Sequence, residues 1–352
     1  MSYQIGMDTI NLKKTERLAH TEYCHDGDLK DAVTSMVVKP GDVLSGEEQI
    51  RSFRNRWMLD FTWGGSDGPI NWEERGRYTI HSHAELLKAN PDRRDSEPCP
   101  FTDPEQVLEF DAVKEYGPWP TIEELTAFYE KIYQDAQKDQ PEQVYPGGNY
   151  KTIVSGACLS FGWDMLLLAA ADQDRFEKVL DSFFRRTLMH VKAWAKTSIK
   201  VYISHDDMVW SEGPFMHPDF YRKVIFPRYA ELWKVLKKAG KKVLFCSDGK
   251  WIDFLDDIVR AGADGFIFEP MNPLEPFVEK YGQTHVIVGS KVDCRTMTFG
   301  TKEQIKAEID ATLPLALKCP GFIFAVGNHI ESNVPVENGL FYFDYLSKHW
   351  QR

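Results

Sequence analysis

Residues 242–250, KVLFCSDGK, run directly into residues 251–270, WIDFLDDIVRAGADGFIFEP, and this stretch decides the fold. Val243, Leu244 and Phe245 make an apolar run too short for a helix. The polar turn Ser247-Asp248-Gly249 follows at once. Such a run reads as a buried parallel strand. Residues 251–261 then carry helical spacing, with Ile252, Leu255, Ile258 and Val259 on one side, and Gly262 closes the helix. A second apolar strand, 265–268, delivers Glu269. This is a strand–turn–helix–strand unit. Residues two apart on a strand point the same way, so Cys246 and Asp248 are expected to face one cavity.

The same alternation continues on both sides. Downstream, strands are expected at 286–289, ending near Asp293 and Cys294, and at 322–326, ending at Gly327, Asn328 and His329. Helices are expected at 301–317, where Thr301 and Gln304 have capping-box spacing, and at 336–349. Upstream, the pattern predicts a strand at 199–203 ending in His205, Asp206 and Asp207, then a helix at 217–238 with Pro218 in its first turn. Further strands are expected at 152–159, 107–111, 57–63 and 17–23, the last ending in His20, Glu22, Cys24 and His25. Helices are expected at 121–138 and, with a break near Asp172, through 163–196. The segment QPEQVYPGGNY, 140–150, reads as a loop.

Strands alternating with helices over this length predict an α/β fold, a single (β/α)₈ TIM barrel occupying residues 1–352. An N-terminal extension to about residue 14 is expected to pack on the outside, and the polar stretch 64–99 to lie as a long insertion over the barrel mouth. A doubly wound open sheet is the competitor, but no strand runs into GxGxxG.

Composition narrows the function. The chain has 352 residues, 43% of them hydrophobic, which suffices for a large core. Its formal charge of −11 argues against a nucleic-acid surface and against anionic membranes. No apolar run approaches the ~18 residues of a membrane span, and the first residues lack a signal-peptide core. Six cysteines without framework spacing suit a reducing cytoplasm. The oligomeric state is left open, a homodimer included.

In a barrel the strand ends meet at one mouth, which would gather Glu22, Asp60, His205, Asp206, Asp207, Cys246, Asp248, Glu269, Cys294 and His329. Each alone has a plain structural reading: a lone cysteine as a small buried hydrophobe, Asp248 before Gly249 as a turn residue, Asp206 and Asp207 as caps. Together, thiol, imidazole and carboxylate form the ligand set of zinc, although no compact CxxC or HExxH is present. Aromatic residues make up 13% of the chain. Phe61, Trp63, Trp210 and Phe215 near strand ends could shape a flat apolar pocket or serve the core.

The run SHDDMVWSEGPFMHPDFYRKVIFPRYAELWKVLKKAGKKVLFCSDGKWIDFLDDIVRAGADGFIFEP (204–270) resembles the uroporphyrinogen decarboxylase superfamily. So do GSKVDCRTMTFGTKEQIKAEI (289–309) and GFIFAVGNHIESNVPVEN (321–338). Members of that superfamily are TIM barrels, divided between porphyrinogen decarboxylases and zinc-dependent methyltransferases that serve corrinoid proteins. The decarboxylases carry an arginine-bearing MRQAGR segment, where this chain reads HTEYCHDGD (20–28), acidic in place of cationic. The methyltransferases hold zinc on a His-x-Cys-Gly motif and a later Cys. Here the first motif stands as Cys246-Ser247-Asp248-Gly249, and the later position falls at Gly327-Asn328-His329.

The resemblance implies a zinc site of Cys246, Asp248, His329 and Glu269, with Cys294 as the competing thiolate. Asp206, Asp207 or Glu269 would be the working acid, and His20, Glu22, Asp60, Trp63, His205 and Cys294 would bind substrate. The implied reaction moves a methyl group from a small methoxylated or otherwise methylated donor to a corrinoid on a partner protein, since no corrinoid-binding Asp-x-His-x-x-Gly is present. Two alternatives stay open: a metal-free decarboxylase or lyase on a different small substrate, and a scaffold that has kept the barrel and lost its chemistry.

Overall fold

The computed structural model describes residues 2–36, 44–79 and 99–352. Its parallel sheet contains β1 (Ala19–His20), β2 (Gly147–Asn149), β3 (Val201–His205), β4 (Lys242–Cys246), β5 (Gly265–Ile267), β6 (Val286–Gly289) and β7 (Phe322–Phe324). They lie in the order β1-β7-β6-β5-β4-β3-β2. The expected unit around 242–270 is present: after β4 come a 3₁₀ turn, Ile252–Phe254, the helix Leu255–Ala261, and then β5. Gly262 ends that helix at φ 112°, a left-handed conformation that glycine adopts without penalty.

The sheet closes through residues 60–62. The Asp60 amide donates to His20 O (2.8 Å), and Asp60 O accepts from the Val144 amide (2.9 Å). Phe61 and Val144 form a parallel bridge. The second strand of the (β/α)₈ barrel is thus cut down to a bridge, where the sequence pattern predicts a strand over 57–63. Met58 is the reason: its φ of 48° turns the chain immediately after the helix Gly46–Arg56.

Two other expectations are corrected. Residues 107–111 are not a strand. They run from the end of the helix Pro104–Leu108 to the cap of the helix Ala112–Glu115; the two helices are capped by the Asp103 and Asp111 carboxylates, and local capping outweighs the short apolar run. Residues 152–159 run into the helix Val154–Phe161, and the preceding strand lies in the Pro-Gly stretch read as a loop. Gly147 and Gly148 belong in a strand here because the backbone is crowded. A Cβ on Gly147 would stand 2.7 Å from Trp194 and Ile199, and one on Gly148 2.7 Å from Ile203 O.

Strand side chains alternate. Val201, Ile203, Leu244, Val286, Val288 and Ile323 fill the barrel, while Tyr202, Val243, Phe245, Phe266 and Phe324 pack under the helices. The N-terminal helix, Ser2–Ile10, is not on the outside. Ile5 and Ile10 join the barrel-filling cluster, and Gly6 sits so close to Asp60 O that a Cβ would approach within 2.4 Å. The helix forms the floor of the barrel. Of the expected insertion, Ser66 bonds back to Gly148 O (2.9 Å) at the mouth. Trp72 instead stacks on Tyr116 (4.3 Å) in the helical layer, and 80–98 fall outside the described residues.

Asp60 itself is not at the mouth, as expected of a substrate residue, but in the closure. Its carboxylate is fully buried and takes both guanidinium arms of Arg17 (2.6 and 2.7 Å), the His20 amide (2.9 Å) and Ser2 Oγ (2.5 Å). Breaking one side of a buried ion pair strands the other charge, whereas exchanging both sides for apolar groups is far cheaper. Asp60→Ala is expected to cost about 3–5 kcal/mol in urea unfolding. The double change Arg17→Met with Asp60→Leu should recover part of that loss. A single-mutant loss below ~1 kcal/mol would refute this role for the pair.

Candidate functional site

His205 ends β3 facing inward, and Asp207 follows two residues later on the same side. Cys246 ends β4 beside it in register, and Asp248 repeats the pattern. One ligand atom each from His205, Asp207 and Asp248 lie within 4.8 Å of one another, and all three residues are half-buried. Among the described residues no other group of three or more His, Cys, Asp or Glu side chains meets that spacing. His205 Nε2 is 3.1 Å from Asp207 Oδ1, which also accepts the Asp248 amide (3.0 Å). Tyr150 donates to the other oxygen, Oδ2 (3.0 Å).

The turn that presents Asp248 is fixed from below. Gly249 has φ 79°, and a Cβ there would meet Trp210 O at 2.7 Å, so only glycine fits. Its amide donates to Glu269 Oε2 (2.7 Å), and its carbonyl accepts from Asn272 Nδ2 (2.8 Å). Glu269 Oε1 takes a hydrogen bond from Asn328 (2.8 Å).

The four zinc ligands expected from sequence are therefore not brought together. Asp248 is in the cluster. Glu269 is engaged with the turn and Asn328. His329 Nε2 pairs with Glu331 (2.9 Å), and its ring packs on Tyr23 and His25. Cys246 lies one step deeper, against His205. Cys294 begins the helix Cys294–Phe299 with its sulfur toward Asp293 (3.6 Å). Asp206 points outward, away from the mouth. It accepts from the amides of Val154 (2.9 Å) and Ser155 (2.6 Å) and from Tyr229 OH (2.7 Å), capping a helix with no side-chain cap of its own. His20 and Glu22 are also outside the barrel. They bond to each other (3.0 Å), and Glu22 further accepts from Tyr342 OH (2.5 Å) under the last helix, Val336–His349. Trp63 remains on the mouth side, half-buried against the barrel cluster.

Electrostatics separate these groups. Burial opposes charge on His205, but the Cys246 sulfur and the Asp207 carboxylate outweigh it and hold the imidazole well above its usual range. Burial likewise opposes ionisation of Asp207, yet His205, the Asp248 amide and Tyr150 bring its carboxyl down to about 2. Burial pushes up Cys246, Asp206, Glu269 and Cys294. An imidazole and two carboxylates converging from adjacent strands, one carboxylate kept ionised, are a donor set suited to a divalent cation with an open position. The rim adds aromatic surface. Trp210 is 42% exposed and packs edge-on to Trp163 (5.7 Å) and beside Phe215 (6.0 Å), whereas Phe61 is wholly buried in the barrel. Tyr150 was missed by sequence reasoning because it follows a strand that the pattern reads as a loop.

Among the described residues no helix is long and apolar enough to cross a membrane. No curated protein sequence matches the chain. A methyltransferase from Methanosarcina mazei shares its fold, with a TM-score of 0.63 over 99% of this chain and 98% of that one at 15% identity. Xylanase 10B from Thermotoga maritima gives a TM-score of 0.43 at 10% identity, covering 98% of both chains. The putative vitamin-B12 independent methionine synthase from Listeria monocytogenes gives 0.38 at 12% identity, covering 95% of this chain and 97% of that one. The uroporphyrinogen decarboxylase (URO-D) family model matches residues 155–349, which hold β3 to β7 and all three residues of the cluster. That match spans more than half of the sequence, and the chain belongs to the uroporphyrinogen decarboxylase family.

Proposed function

We propose that this protein is a methyltransferase that takes a methyl group from a small methylated donor, a methoxylated compound foremost, and passes it to a corrinoid carried by a partner protein. The observation that carries the reading is the His205–Asp207–Asp248 cluster under an aromatic-rimmed barrel mouth. A substrate bearing many carboxylates is disfavoured there, because the cluster itself supplies two carboxylates. A divalent ion such as zinc would be held by these three residues and would supply Lewis-acid polarisation of a donor oxygen.

The chain's own residues do the rest. Asp207 is kept ionised at the end of the barrel, Asp248 adds a second carboxylate beside it, and His205 offers a nitrogen next to Cys246. Glu269 and Asn272 keep the Gly249 turn, and so Asp248, in place. Trp210, Trp163 and Phe215, packed edge to face, offer apolar aromatic surface to a small donor.

One observation favours a second reading, a metal-free decarboxylase or lyase. The His205–Asp207 pair is already hydrogen-bonded and charge-matched, so it could serve as an acid–base pair without metal. Two measurements separate the readings. Incubated with reduced cobalamin and a panel of methoxylated aromatics and methylamines, the zinc-loaded protein is expected to produce methylcobalamin, followed by its absorption spectrum. Asp207→Ala and Asp248→Ala should each lower that rate by at least ~100-fold. Methyl transfer that persists in a strong chelator, or in Asp248→Ala, would count against the metal-assisted reading.

The second measurement is proton release. The Cys246 sulfur and the Asp207 carboxylate hold His205 well above the usual imidazole range, and a protonated His205 must lose its proton to ligate. Affinity for zinc should therefore fall as the pH is lowered. Zinc uptake should release protons from His205 and none from Asp207, whose carboxyl is already ionised. A pH-stat titration with zinc chloride that shows no proton release would exclude His205 as a ligand.

A further inference from the structure

Tyr150 stands in the loop after β2, the one neighbour of β3 that contributes no residue to the cluster. It nevertheless touches two of the three donors. Its hydroxyl donates to Asp207 Oδ2 (3.0 Å), and its ring lies edge-on to the His205 imidazole, centroids 4.6 Å apart at 69°. The side chain is 41% exposed, so it lies on the solvent side of both groups.

Its backbone is held by hydrogen bonds from both sides. Asp67 Oδ1 accepts from the Tyr150 amide (2.9 Å) and the Lys151 amide (2.8 Å). Arg186, fully buried, donates to Asp67 O (2.9 Å) and to Lys151 O, with its guanidinium against Trp72 (4.5 Å). Thr152 Oγ1 then bonds to His205 O (2.6 Å), tying this loop to the end of β3. A loop so anchored presents its tyrosine at a set distance from Asp207 and His205.

We propose that Tyr150 is a positioning residue for a divalent cation at His205, Asp207 and Asp248, an inference that rests on the metal reading of that cluster. By occupying Oδ2, the phenol leaves Oδ1 of Asp207 turned toward His205 and Asp248, and the ring blocks rotation of the imidazole. Partners that orient metal ligands in this way typically contribute 10–100-fold to metal affinity. The partly exposed Tyr150 side chain is not part of the core, so Tyr150→Phe removes the hydrogen bond to Asp207 and keeps the fold.

The test uses the full-length protein and the metals alone. Wild type and Tyr150→Phe are titrated with Zn²⁺ against a competing chelator, and with Co²⁺ as a spectroscopic substitute. The expected result is about 10-fold weaker binding of both ions by Tyr150→Phe. A changed cobalt d–d band and an unaltered circular dichroism spectrum should accompany it. Equal affinity and an identical cobalt band in the two proteins would overturn the role of Tyr150 while leaving the metal site standing. Wild type that binds neither ion would remove the metal site, and this inference with it.

Discussion

A parallel sheet becomes a barrel only when its two edges meet, and here they meet through the backbone of Asp60. Its amide serves β1 and its carbonyl serves the chain entering β2, so one residue completes both sides of the ring. The same residue brings a carboxylate into an environment where an unpaired charge is prohibitively costly, and Arg17 neutralises it with both guanidinium arms. Closure by a single bridge works because the pair beneath it is rigid and the helix Ser2–Ile10 seals the floor. Only in a closed ring does each strand have a defined inside, and everything at the mouth follows from that.

Alternation then assigns work to neighbours. His205 and Asp207 point into the mouth, while Asp206 between them points out and caps the helix Val154–Phe161. On the next strand Cys246 and Asp248 face inward around Ser247. Two adjacent aspartates of one sequence motif so acquire opposite electrostatics. The outward one is pushed up by burial, and the inward one is drawn down by an imidazole, an amide and a phenol.

Much of this was legible in the residues themselves. The unit at 242–270, the helices at 336–349 and 302–316, and the barrel class followed from apolar runs, caps and turn glycines. The convergence of His205, Asp207, Cys246 and Asp248 followed from strand ends. Facing was harder to read. His20 and Asp206 lie at strand ends as expected, but a one-residue step turns them to the helical layer, and no local signal fixes that step. The glycines of β2 hid a strand, because close backbone packing and a loop have the same composition. With that strand hidden, Tyr150 had no place at the mouth. The expected ligands are not all gathered, for a similar reason: spacing along the chain places His329 at a strand end, but its ring packs on Tyr23 and His25 beside Glu331.

The floor helix carries a consequence for how the chain comes together. Ser2–Ile10 and β1 are made well before their partners, which include Val286, Ile323 and the β7 ladder, some three hundred residues later. Until β7 exists, β1 has only the segment 60–62 on one side and an unpaired edge on the other, and the helix has no closed ring to fill. Nascent protein thus presents an apolar helix and a bare strand edge for most of its synthesis, a state that invites intermolecular pairing. The brevity of β1, two residues, limits that exposure: it offers too little edge to template another chain, yet enough to lock once the ring arrives.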